Sequence, residues 1–174
     1  MSDGDGPVPD GDDPGAAEEN PTPGTLTVDA DDLAGVVDLF DALGPAQLRK
    51  ALAELAFKRG VDAPPDSVVD DAVASYHLVD HDGLLIVGPV AFPTLPEGAA
   101  DLPHILDVDT DAPPRAAVAE SVERRFREEA ARTLAAEEAG PAVERLVDVS
   151  YDLEAWGPVD VREVRRRLDD ARDG

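Results

Sequence analysis

The sequence predicts a mostly α-helical fold with one β-hairpin: winged-helix-like three helices plus hairpin, then a proline-rich arm and three C-terminal helices. Three observations carry that expectation. Apolar residues recur at helical spacing in runs that open on Asp or Pro and close on Gly. The stretch "HLVDHDGLLIV" places two short apolar runs around a turn in which Gly83 can supply a positive φ. From Pro89 to Pro114 six prolines break every period while apolar residues persist.

Each element has a local reason. Asp29 can cap the first helix, with Asp32 at the third helical position and Val28 stapled to Leu33. Leu33, Val36, Val37, Phe40 and Leu43 then share one face, Gly44 ends the run, and Pro45 opens the second helix. That helix buries Leu48, Ala51, Leu52 and Leu55 and stops at Gly60. The third follows Pro64 and Pro65, with Val68, Val69, Ala72, Val73 and Tyr76 inward. A structureless stretch as long as 89–114 is uncommon in a compact domain, so its Val90, Phe92, Leu95, Leu102, Ile105, Leu106 and Val108 argue for an ordered arm lying across the core. The run "HILDV" fits either an edge strand or one helical turn.

In the last third, Val118, Val122, Phe126, Ala130 and Leu134 form a helical stripe, flanked by Glu120–Arg124, Glu123–Arg127 and Glu128–Arg132 pairs. Pro141 opens the next helix, which buries Leu146, Val149, Leu153 and Trp156 and ends at Gly157. Asp160 and Glu163 propose a capping box for the final one, with Val159 stapled to Val164. The resulting division is a disordered acidic tail (1–25), a winged-helix-like region with its hairpin (26–96), and an arm with C-terminal helices (97–174) packing on the same core as one domain.

Charge is the strongest compositional signal: 39 acidic residues against 15 basic ones, a net −24 in 174 residues, with no cysteine. The first 25 residues carry too little apolar surface to offset the entropy of ordering. They lack the basic and apolar regions of a signal peptide, and no apolar run reaches membrane-span length, so the expectation is a cytoplasmic protein. Without cysteine, disulfides, thiolate metal sites and cysteine nucleophiles are excluded. At "AELAFKRG", "AFPTLPEGAADLPHILDV" and "SYDLEAWGPVD" the chain resembles a family of small, acidic, uncharacterised haloarchaeal proteins, over Leu33 to Leu168. That resemblance implies a salt-rich habitat, where the acidity reports the solvent and not a partner. It implies no activity or cofactor.

DNA binding is the first candidate that a winged-helix order raises, and the charges oppose it. Base edges are read mainly by Arg, Lys, Asn and Gln on the third helix. Here that helix offers Asp66, Asp70 and Asp71, and the hairpin tip Asp80 and Asp82. The candidate nucleic-acid contacts are Arg49, Lys50, Lys58 and Arg59 on the second helix, with further arginines at 124–127 and 162–167.

Metal and enzyme chemistry find less. His77, His81 and His104 are the only histidines, and a turn separates the first two. Asp107, Asp109 and Asp111 imitate the start of a calcium loop, which then fails at Ala112 and Val118, where Gly and Glu are needed. Ser67, Ser75, Ser121 and Ser150 lie outside any nucleophile motif, and nothing in the sequence sets a histidine beside one. The expectation is therefore a non-enzymatic interaction or regulatory protein without metal or cofactor, its partner another protein. Phe92, Leu95, Leu102 and Ile105 on the arm are the candidate partner surface. A winged-helix DNA-binding regulator is the alternative.

Overall fold

The computed structural model describes residues 24–109 and 111–174. Among them the chain forms α1 (Ala30–Asp38), α2 (Pro45–Arg59), α3 (Ser67–Ala74), β1 (Leu78–His81), β2 (Leu84–Val87), a 3-10 turn (Ala99–Asp101), α4 (Leu102–Ile105), α5 (Arg115–Ala135), α6 (Gly140–Trp156) and α7 (Arg162–Asp173). The fold is thus mostly helical with one antiparallel hairpin. Most of the expected acidic tail lies outside the described residues. Its last two, Gly24 and Thr25, run beside Asp62, whose N–H donates to Gly24 O at 2.9 Å and whose carbonyl accepts from Leu26 N at 2.8 Å.

Local signals place the first helices. The Asp29 carboxylate accepts from Asp32 N at 2.8 Å and Asp32 returns the bond to Asp29 N at 3.0 Å, a complete capping box. Gln47 Oε1 accepts from Gly44 N at 2.8 Å to open α2, and Gly60 closes it at φ 65°. However, α1 stops at Asp38 and does not reach Gly44. Asp41 turns the chain at φ 64°, and Leu43 then exchanges both main-chain hydrogen bonds with Leu85, at 3.1 and 2.7 Å. Pairing with β2 satisfies both main-chain groups of Leu43 while keeping it fully buried.

The hairpin is tighter than the sequence suggested. Only Asp82 and Gly83, at φ 51° and 83°, form the turn, and the register runs from Leu78 opposite Val87 to His81 opposite Leu84. Alternation sends its side chains into two apolar clusters. Leu78 and Leu85 join Leu33, Val37, Leu48 and Leu55 from the N-terminal helices. Val79 and Ile86 join Val122, Phe126, Leu146 and Leu153 from the C-terminal ones. The hairpin is therefore a partition covered on both faces.

The C-terminal helices α5, α6 and α7 pack on one another and, through α5, on β1. The expected α5 stripe holds, with Val118, Val122, Phe126 and Ala130 buried; full burial of a side chain such as Phe126 is worth about 1.5–3 kcal/mol. Of its flanking pairs, Glu123–Arg127 closes at 2.8 Å, whereas neither Glu120–Arg124 nor Glu128–Arg132 forms an ion pair among the described residues. The proposed box on α7 does not form: the helix begins at Arg162, and Asp160 accepts from Arg162 N at 3.2 Å and from its guanidinium at 2.8 and 3.0 Å. These bonds from Arg162 hold the Asp160 carboxyl down to about 2.

Candidate interaction surface

The arm is fastened to α1 by that helix's own first turn. Asp31 accepts from Phe92 N through its carboxylate at 2.8 Å and from Thr94 N through its carbonyl at 3.0 Å, while Thr94 Oγ1 donates to Asp32 at 2.8 Å. Approach this close needs Gly35: a Cβ there would lie 1.8 Å from Thr94 O. Farther on, Arg59 donates to Glu97 O at 2.8 Å and Lys58 to Gly98 O at 3.5 Å. The arm then closes with a 3-10 turn and the single helical turn of α4, which takes in His104 and Ile105 of "HILDV", while Leu106 leaves the helix extended and no edge strand forms among the described residues.

Fastened in this way, the arm divides its apolar residues. Ala99, Leu102 and Leu106 enter the N-terminal cluster. Leu102, at 0% exposure, is a strut and drops out of the partner surface expected from sequence. Phe92 stays 79% exposed, Leu95 50% and Ile105 44%. Sequence reasoning missed Phe57, on the exposed side of α2 at 83%. Its position outside the Leu48, Ala51, Leu52 and Leu55 stripe was the available signal. Phe57 directly precedes Lys58 and Arg59, the two residues that grip the arm.

The candidate nucleic-acid residues do not gather into a free basic patch. Arg49 pairs with Asp66 at 3.8 Å, Lys58 with Asp101 at 4.0 Å, and Arg59 is committed to Glu97 O. Lys50 is exposed beside a small cleft shared with Leu106 and Asp107. Around them α3 presents exposed Asp66, Asp70 and Asp71.

One expectation from sequence is overturned: two serines do have a histidine beside them. His77 Nδ1 lies 2.7 Å from Ser75 Oγ, and His81 Nδ1 lies 2.8 Å from Ser121 Oγ across the seam between β1 and α5. Ser75 also reaches Ala72 O at 3.2 Å, an ordinary back-bond at a helix end. Asp82 stands 3.5 Å from His81 Nε2 but is almost wholly in solvent. A nucleophile needs donors aimed at a developing oxyanion, and Ser121 sits in mid-helix, where the backbone amides are already spent. Among the described residues, no three His, Cys, Asp or Glu side chains gather in a way that could hold a metal ion, and no helix is long and apolar enough to cross a membrane.

Among the aromatic residues of the C-terminal helices, Trp156 is less buried than its sequence position suggested. Trp156 is half-buried, donating to Val87 O at 3.2 Å beneath the Arg115 guanidinium, but Tyr151 is exposed with Arg165 stacked 4.1 Å from its ring centre. The buried tyrosine is Tyr76. Burial first, and then its bond to Glu129, push its phenol well above the ordinary tyrosine value. Burial alone would raise Glu129, but hydrogen bonds from Tyr76 and Arg145 hold it below the ordinary glutamate value.

No curated protein and no solved structure matches this chain. Residues 31–173, from the first turn of α1 to the end of α7, do match a family described as a family of unknown function (DUF7109). The match takes in the arm, the hairpin and the C-terminal helices together, and the chain therefore belongs to that family.

Proposed function

We propose that this is a non-enzymatic protein-interaction or regulatory protein of a salt-rich cytoplasm, and that it docks a protein partner through Phe92, Leu95 and Ile105, with Phe57 of α2 as a further exposed aromatic. One observation carries this reading: a chain of net charge −24 pins an arm by main-chain hydrogen bonds on both sides of Phe92 and Leu95, yet leaves those side chains in solvent. Exposed apolar residues held in place on a soluble surface commonly mark contact sites. Fixing them beforehand also lowers the ordering cost of binding.

The test is affinity capture in molar KCl from the source cells, with wild type and a Phe92→Ser/Leu95→Ser double variant as baits. A specific protein held by wild type and lost by the variant, at unchanged thermal stability, is the expected result. Recovery of nothing, or of the same proteins by both baits, overturns the reading.

A DNA-binding regulator is the weaker reading. Phosphate contacts dominate DNA affinity. Three of the four basic residues nominated for that role already hold partners in their own chain, and the third helix is acidic.

A further inference from the structure

We propose that the outer edge of β1, at Asp80, is a strand-addition site for an extended apolar peptide carrying one carboxylate. Leu85, opposite Asp80 in the register, commits both its N–H and its C=O to Leu43 on the other side. In an antiparallel pair main-chain groups alternate between inward and outward bonds. Asp80's amide and carbonyl therefore point away from β2, and they find no partner among the described residues. A charged side chain often blunts such an edge. Here the Asp80 carboxylate is turned back onto Gly83 N at 3.1 Å, which leaves the main chain open.

The space beside this edge suits a short strand. A cleft of about 300 Å³ lies between the hairpin and α5, with the half-buried Val73 as its accessible apolar wall and the buried Val79 and Val122 behind it. That volume is on the scale of two or three residues of peptide, at the lower end of ligand sites. Its cations differ in availability. Arg125 is engaged with Ala74 O at 3.1 Å and stacks on Tyr76, and His81 is held by Ser121. Arg124, which also lines the cleft, makes no hydrogen bond or ion pair among the described residues, so it is free to take a carboxylate. Asp82 and Glu128 face the same space and limit the occupant to a single negative charge. Main-chain pairing with alternate side chains in pockets is the general form of strand addition.

The experiment titrates the full-length 15N-labelled protein with two probes, Ac-TVTVE-NH2 and Ac-TVTV with a free C-terminus. These separate a side-chain carboxylate from a terminal one. The Asp80 amide is expected to shift and to gain at least about five-fold protection from exchange, as a newly paired strand amide does. An analogue N-methylated at both valines should bind at least about ten-fold more weakly, and Arg124→Gln should weaken the better probe about five-fold at unchanged thermal stability. No Asp80 response at millimolar concentrations of either probe overturns the proposal. So does equal binding of the N-methylated analogue, or binding indifferent to Arg124→Gln. The arm variant Phe92→Ser/Leu95→Ser should bind both probes normally, which keeps this site separate from the proposed docking surface.

Discussion

Tyr76 donates its phenolic proton to Glu129 Oε2 at 2.5 Å, joining the residue that ends the N-terminal helices to the middle of α5. The tyrosine has left α3 at φ 65°, packs edge-on against Phe126 with ring centres 6.3 Å apart, and carries Arg125 over its face at 4.1 Å. Arg145 of α6 closes on the other carboxylate oxygen, so three elements meet at one glutamate. This network is one of the polar links that tie the end of the N-terminal helices to α5 and α6.

Removing the phenol tests that fastening directly. Tyr76→Phe keeps the ring and should lower stability by about 2 kcal/mol, the range for a hydrogen bond to a charged group. Urea unfolding in concentrated KCl measures it, and a change within error would show that the seam is held by packing alone.

Glu129 also sets a pH dependence. Its carboxyl sits below the ordinary glutamate value in the folded protein, so the stabilisation is complete above that ordinary value. It is lost as pH falls through the lower, folded value. Urea midpoints from about pH 6 down to about pH 3 should decline more steeply for wild type than for Glu129→Gln, which cannot titrate. Parallel slopes would assign the acid sensitivity elsewhere.

Within the arm, two apolar residues should respond in opposite ways. Leu102→Ala removes a fully buried side chain and should cost about 2–5 kcal/mol, whereas Phe92→Ala removes an exposed one and should change stability by less than about 0.5 kcal/mol. Comparable losses in paired unfolding curves would mean that Phe92 is covered in solution.

Gly35→Ala places a methyl where Thr94 O lies, so α1 and the arm cannot keep their contact. Loss of the three bonds from the arm to Asp31 and Asp32 should expose the 92–98 segment. Limited proteolysis should then cut there first, while Gly24→Ala, whose Cβ meets nothing, leaves the cleavage pattern unchanged.

Acidity makes a prediction for salt. With net charge −24, like-charge repulsion opposes the folded state and is screened as the Debye length shortens. The urea midpoint should rise between about 0.1 M and about 2 M KCl. A flat or falling midpoint would remove the physical basis for a salt-rich habitat.

What the sequence determined by itself was local. The Asp29–Asp32 box, the opening of α2 at Pro45, the Gly60 stop, the positive φ of Gly83 in the hairpin turn and the α5 stripe each rest on local spacing, which the sequence alone reveals. Tertiary structure decided the rest. Leu43 left its helix because its hydrogen-bond partner is Leu85; His81 found Ser121; Leu102 was buried and Phe92 left out because the arm is threaded over Gly35. Those outcomes depend on groups distant in sequence competing for the same space, and a one-dimensional pattern carries no record of that competition.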